Sequence, residues 1–511
     1  MKKRIISILL SLLLVVGLFT GCSGNNDSNT PSGNNGNNDI AKDSIIIGQN
    51  GDVTTLDAQM FSDLTTESVC LNIYEPVVRV TNDGEITEGV AEKWEISDDG
   101  MQYIFYIREG MKFHNGEEVK PSDVKFTLER CMESPYVQTY FSYIDTVEAI
   151  DNTVVVNLKY PYSPFLAIMG SYAGVVSEAS LKDDENALSR NPIGSGPYKF
   201  VEWSQGDKIV LEANEDYYKG VAPIKNVTFK VIGDLSTATI SLEKGEVDAF
   251  INISPTDIVT VENHDNLAIE QVSSYIFRFL GINCEKEPFN DVKVRQAISY
   301  ALDKEGIVIG AEEGVGAVAQ SHIPVGIAGY NESFKGHERN IEKAKQLLAE
   351  AGYPNGFKTE MVATENRSMH AQIIQANLKE IGIDVDIKLY ESGTFYELLE
   401  NGEFELQILG WSYICPDPDV AIYDLYKSGG NMAGNYGRYN NPKMDELLEA
   451  GRKSVNQDEK QKIYEEIEEL AKEDAFNIPL YWTMSNIAYN KALKGVEASP
   501  KLSYFVYNFS W

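Results

Sequence analysis

Between residues 290 and 410 the apolar side chains switch from a helical period to strict alternation, and no other feature restricts the fold as much. After Asn290-Asp291, residues Val294, Ala297, Ile298, Ala301 and Leu302 fall at i, i+3, i+4, i+7 and i+8, one apolar stripe of a helix. Asn340 caps a second helix, with Ala344, Leu347, Leu348 and Ala351 inward and Gly352 as its stop. A third runs from about His370 to Ile381, ends at Gly382 and feeds directly into a strand. There Ile383, Val385, Ile387 and Leu389 face one way and Asp384, Asp386 and Lys388 the other. A fourth helix spans about Asp458 to Asp474. Helices alternating with strands predict a mostly parallel sheet with helices outside.

The N-terminal half reads differently. Tyr103, Phe105 and Ile107 alternate with Ile104, Tyr106 and Arg108, and Val154-Val155-Val156 with Leu158 gives another strand. Pro121-Ser122-Asp123 opens a helix, with Ser122 expected as its cap. The chain is mixed α and β, and its 511 residues exceed one ordinary core. Two or three subdomains in two unlike halves are expected.

The N-terminus predicts an address. Lys2-Lys3-Arg4 precedes the apolar run Ile5 to Leu18 and then Gly21-Cys22. The stretch resembles a bacterial lipoprotein signal, in which residues 1–21 are removed and Cys22 is lipidated. Residues 22–43, rich in Asn, Gly and Ser, read as a flexible linker. Folding is expected to begin near Ser44. The protein would then sit on the outer face of the cytoplasmic membrane, held by lipid. Formal net charge is −33, and loss of Lys2, Lys3 and Arg4 takes it to −36. Such a charge disfavours nucleic acid as a partner, because phosphate binding needs cations. Cys70, Cys131, Cys284 and Cys415 could form two disulfides or stay thiols; no CxxC spacing exists.

Catalytic motifs are missing. There is no HExxH, GxxxxGK[ST] or GxSxG. Gly410-Trp411-Ser412-Tyr413-Ile414 begins like a nucleophile elbow and ends in Ile. Ser122-Asp123-Val124-Lys125 fits SxxK without SDN or KTG. The histidines at 114, 264, 322, 337 and 370 lack metal-ligand spacing. No enzyme activity, metal or cofactor is expected. The segment that stands out is Trp411 to Asp419, after an apolar strand Phe404 to Leu409. Pro416 and Pro418 disfavour a helix and leave a constrained loop. Loops at the carboxyl ends of sheet strands favour ligands. Trp411 and Tyr413 offer flat apolar surface, Ser412 lies between them, and Asp417 and Asp419 offer acceptors.

Further segments carry a resemblance. They include Thr55-Leu56-Asp57, Leu71 to Val78, Arg108 to Gly116 and Ser122-Asp123-Val124. Pro192-Ile193-Gly194-Ser195-Gly196-Pro197-Tyr198, Gly245-Glu246-Val247-Asp248, Val294 to Asp303 and Asn441-Pro442-Lys443-Met444-Asp445 follow in order. From Ser44 to the C-terminus the chain resembles the family 5 extracellular solute-binding proteins, the oligopeptide, dipeptide and nickel group of ABC importers. The resemblance implies a two-lobe α/β periplasmic-binding-protein fold, type II, in the large cluster C form. Lobe I would take 44–281 and 487–511, with an extra subdomain inserted at about 79–186, and lobe II 282–486. It implies a peptide or similar solute held between the lobes by a monomer and delivered to permease subunits. It also places the loop after Trp411 in the cleft. Peptide binders of the family commonly carry Asp three residues after that Trp for the ligand ammonium; this chain has Ile414. Dipeptide-type members carry an Arg for the ligand carboxylate near Asn366-Arg367, and Arg367 is the candidate. Non-peptide solutes (an oligosaccharide, a metal chelate) and a chemosensory role are the alternatives, with an extracellular hydrolase behind them.

Overall fold

The strand Leu267–Ile282 is the axis of the molecule. A computed structural model describes residues 42–429 and 434–511. Eleven strands make one sheet. Ten follow the spatial order Asp384–Tyr390, Lys358–Thr364, Leu406–Ser412, Leu267–Ile282, Asn477–Asn490, Ala249–Ile251, Ser44–Gln49, Asn226–Val231, Lys208–Ala213 and Tyr198–Ser204. The short Ala317–Val318 adds to Asn477–Asn490.

Two strands, of 16 and 14 residues, are far longer than an ordinary strand and pass through both halves. They pair antiparallel from Leu267↔Asn490 to Gly281↔Asn477, with the register shifted between Ser273 and Phe277. On one side of that break, Ile487 pairs with Ile251; on the other, Ile276–Ile282 pairs with Leu406–Ser412. The pairing partners of the long strands therefore change at 273–277. Phe277, Phe279 and Leu280 already belong to the apolar cores of the second half.

The helix–strand alternation gives what its pattern predicts. Helices Val292–Ala301, Ile341–Glu350, Ser368–Glu380 and Gln457–Asp474 lie where the stripes place them. The Asn340 carboxamide accepts from the Lys343 N–H at 2.9 Å, closing the expected cap. Lys358–Thr364 runs parallel to Asp384–Tyr390 and to Leu406–Ser412. Leu406–Ser412 then pairs antiparallel with the crossing strand, so the sheet is mixed. Ser122 is not a cap: the helix Pro121–Glu133 starts at the proline, and Asp123 accepts from the Lys120 N–H at 2.9 Å.

A separate antiparallel sheet orders Ala91–Ile96, Gln102–Ile107, Thr153–Leu158 and Ile144–Ile150. It has its own apolar core with the helices Pro121–Glu133 and Phe165–Tyr172. In sequence it lies between the main-sheet strands Ser44–Gln49 and Tyr198–Ser204. The Gly194-Ser195-Gly196 turn explains its glycines by close approach. A Cβ on Gly194 would stand 2.1 Å from the Ile73 carbonyl oxygen, and one on Gly196 2.7 Å from it. Cys70, Cys131, Cys284 and Cys415 are all free thiols, which removes the disulfide alternative. Among the described residues no helix is long and apolar enough to cross a membrane. The leader, Cys22 and all of the linker but Lys42 and Asp43 lie outside the described residues.

Candidate functional site

A cleft opens where the two halves meet. Its largest chamber is about 740 Å³, with Arg79, Asp83, Lys219, Tyr275, Pro416 and Lys501 on its walls. A second, of about 260 Å³, is lined by Phe61, Tyr140, Tyr172, Tyr275, Ser412, Tyr413 and Ile414. Glu67 borders both. One wall thus comes from the first half and the C-terminal segment. Across the larger chamber stand Val272 and Tyr275 of the crossing strand and Pro416 of the second half, whereas Ile276, Ser412, Tyr413 and Ile414 face the smaller one. Aromatic faces with a few polar groups suit a ligand that needs area and orientation.

The polar groups on the first wall are largely paired. Glu67 meets Lys501 at 2.6 Å, and the Lys501 ammonium sits 4.9 Å from the Tyr172 ring centre. Arg79 donates twice to Glu75, each at 2.7 Å, and lies 3.9 Å over the Phe505 ring. Tyr217 and Tyr218 donate to the same carboxylate at 3.0 and 3.1 Å. Beside them, burial holds Lys219 below the usual lysine range, outweighing the Glu75 charge.

The loop after the strand departs from expectation in four ways. First, Trp411 and Ser412 are the last residues of the strand, because the ladder to Phe277 and Ile276 continues through them. Ser412 is exposed on the cleft wall, whereas Trp411 is half-buried against the second half's core and borders neither chamber. Second, Tyr413 borders the cleft but is only 2% exposed. Its ring packs among Phe277 and Trp482, and its hydroxyl donates to the His322 carbonyl at 2.7 Å. Third, Asp417 and Asp419 are not free acceptors. Both are buried; Asp417 pairs with Lys460, and Asp419 takes the Arg452 guanidinium on both oxygens at 2.8–3.1 Å. Burial alone would lower the Arg452 pKa, but the Asp419 charge holds it above its ordinary value. Nor do the prolines prevent a helix: Pro418 starts Asp419–Tyr426, a position where its missing N–H costs nothing.

Arg367 sits in the turn after Lys358–Thr364, at the carboxyl end of a parallel strand. The structure sets it near Arg278, which the sequence reading did not single out. Burial lowers the Arg278 pKa, and the charge of Arg367 lowers it further. Arg278 Nε is buried without a partner. Its guanidinium lies across Gly410, where a Cβ would stand 2.1 Å from Nη1. Arg278 is not without compensation: the Glu312 charge and a hydrogen bond with Tyr481 both favour its charged form, while Glu312 also pairs with His370 at 2.9 Å and His370 with the Tyr481 hydroxyl at 2.7 Å. The signal for Arg278 was a lone charge in the apolar strand Phe277–Ile282 opposite a glycine. The pairing register that joins them is not readable from either segment alone.

Behind Tyr413 lies a buried polar knot. The His322 N–H donates to Glu468 at 2.9 Å, and its Nδ1 meets the Tyr426 hydroxyl at 2.5 Å. His322 Nε2 and Glu468 Oε1 are buried without partners beside a cavity of about 20 Å³ that Lys304 also lines. Burial pushes Glu468 up to about 7 and His322 down to about 3. Among the described residues no group of three or more His, Cys, Asp or Glu is placed to hold a metal.

Two lobes joined by crossing strands around an aromatic cleft define a receptor that encloses a solute. The sequence model described as bacterial extracellular solute-binding proteins, family 5 Middle, matches residues 85–433. The chain belongs to this family. It is 31% identical over 538 residues to the oligopeptide-binding protein AppA of Bacillus subtilis, covering 98% of each. It is 30% identical over 450 residues to heme-binding protein A of Haemophilus influenzae, covering 81% of this chain and 82% of that one. The solved structure of HbpA2 from Haemophilus parasuis matches with a TM-score of 0.86 at 28% identity, over 91% of this chain and 99% of that one. The fold is thus the two-lobe one implied by the sequence, and the chain is a binding protein of the ABC transporter type, not an enzyme.

Proposed function

We propose that this chain captures a peptide or peptide-like solute between its lobes and delivers it to the permease of an ABC importer. The observation that carries this reading is the cleft, whose chamber of about 740 Å³ has room for several residues of an extended ligand. Relatives named for oligopeptide and dipeptide binding support it. In this reading lobe I takes 44 to about 275 and the C-terminal segment, with the four-stranded subdomain as its insertion. Lobe II takes the stretch between the two crossings. The protein works as a monomer, tethered by lipid on Cys22 to the outer face of the membrane. Replacing Cys22 by Ser should release it from the membrane fraction; a variant that stays membrane-bound with acyl chains in its mass would refute lipidation at Cys22.

The geometry also favours one end of the ligand over the other. Ile414 accepts no hydrogen bond, and the acids of its loop are bound by Lys460 and Arg452. Arg278 and Arg367 carry two positive charges near one another, outside the lining of the two chambers and with the single acid Glu312 beside Arg278. We infer that a ligand carboxylate, more than an ammonium, is the recognised group. This leaves room for a blocked peptide or another acid solute. Calorimetric competition should show N-acetylation changing Kd by less than about three-fold, with C-terminal amidation costing at least ten-fold, or about 1.4 kcal/mol. Arg367→Ala should cost a similar amount. The opposite pattern, amidation harmless and acetylation costly, would sink the carboxylate reading.

A further inference from the structure

The segment that leaves the cleft wall after Ser412 does not stay within its own lobe. Cys415 is fully buried in the apolar core of the four-stranded subdomain, and Ile414 and Val420 pack against that core. Beside it, the space a side chain on Gly84 would need is filled by Pro416, whose Cβ stands 3.2 Å from an ideal Cβ there. Further along the same edge, the Ser163 N–H donates to the Arg452 carbonyl at 2.8 Å, and its hydroxyl to the Gly451 carbonyl at 3.2 Å. The Arg452 guanidinium is 5.7 Å from the ring centres of Tyr143 and Tyr162, which stack on each other at 3.7 Å. The edge ends where Val455 comes within 3.0 Å of an ideal Cβ on Gly100.

These contacts join segments far apart in sequence, 288 residues for the Ser163 hydroxyl and the Gly451 carbonyl, and they are separate from the crossing strands. They are also of two kinds. One is apolar, with a thiol seated in another element's core. The other is a pair of main-chain and hydroxyl hydrogen bonds. Parting the lobes here would bring water to Cys415, Ile414 and Val420. It would also uncover the Asp419–Arg452 pair, whose guanidinium the Tyr143 and Tyr162 rings shield on the subdomain side.

We propose that residues 413–420 form a clasp that keeps lobe II docked on the four-stranded subdomain whether the cleft is empty or filled. The lobes then turn about this docked edge and do not separate at it. The segment read from sequence as a ligand loop is in this view first a joint. Its cleft-facing atoms at Ser412 and Tyr413 are held in place by the contact on its other side.

The test uses the full chain, freed of bound solute by unfolding and refolding. N-ethylmaleimide labelling is followed at each cysteine by peptide mass spectrometry. Cys284 is half-buried and serves as the accessible reference; Cys131, fully buried in the same core as Cys415, is the internal one. The clasp predicts that Cys415 labels at least 100-fold more slowly than Cys284 and no faster than Cys131. Hydrogen exchange should find the Ser163 amide protected in the same sample. Tyr143→Ala removes a ring beside Arg452 and should raise Cys415 labelling at least ten-fold while leaving Cys131 unchanged. Should that variant fail to fold, the two measurements on the parent chain stand by themselves. Cys415 labelling at the rate of Cys284, or a freely exchanging Ser163 amide, overturns the proposal.

Discussion

Asp419→Asn is expected to lower the unfolding free energy by about 3–5 kcal/mol, because it strands the Arg452 guanidinium in a buried site. The side chains of Asp419 and Arg452 are 0% and 10% exposed, so little water can replace the lost partner. The ring of Tyr423, centred 3.2 Å from the guanidinium carbon, offers it only a π-face. Urea unfolding measures the loss. Replacing both partners together, Asp419→Leu with Arg452→Met, should recover much of it, since no charge is then left unpaired. Ligand affinity of the folded single variant should stay within about three-fold. A variant of normal stability that no longer binds would instead return Asp419 to the ligand.

Glu468 should make stability fall as pH rises toward neutrality, the reverse of an ordinary salt-bridged acid. The folded carboxyl keeps its proton up to about 7, whereas the reference value is 4.5. Between these values the folded state binds more protons than the unfolded one, so stability declines as pH passes from about 4.5 to 7. The size is up to about 3 kcal/mol at roughly 1.4 kcal/mol per pH unit. His322 acts in the opposite sense: its depressed pKa makes stability fall as pH drops below the ordinary histidine value toward about 3. Comparison with Glu468→Gln isolates the acid. The stability of the Gln variant relative to the parent should grow across that window and then level off. A difference that is flat with pH would mean that Glu468 is ionised throughout.

What could be read from the sequence was whatever repeats locally. The stripe Val294, Ala297, Ile298 and Ala301 and the alternation Ile383 to Leu389 record which face is buried, and both elements form as their period requires. The Gly194 and Gly196 motif was recognisable as a pattern, but its cause, contact with Ile73, was not. The site was less legible. Asp417 and Asp419 look like ligand acceptors until Lys460 and Arg452 arrive from helices more than 30 residues away. Trp411 looks like a loop residue until Phe277 extends the ladder to it. Arg278 carries no motif at all; it matters through a neighbour, Arg367, that only the fold supplies. Pairing between distant segments decides whether a polar side chain is free, and no local pattern contains it.

The break in the ladder between Ser273 and Phe277 gives the receptor its mechanical character. From Leu267 to Ser273 the two crossing strands are zipped together and bending them would stretch regular cross-strand hydrogen bonds; a second irregularity follows between Arg278 and Phe279. At the break the regular pairing has already lapsed, and the Ser274 and Thr483 hydroxyls, 2.6 Å apart, bridge the strands there by side chains. Twisting concentrated at this point costs few ladder bonds. The irregular pairing is thus gathered at residues 273–279, and a twist placed there disturbs fewer ladder bonds than one placed between Leu267 and Ser273.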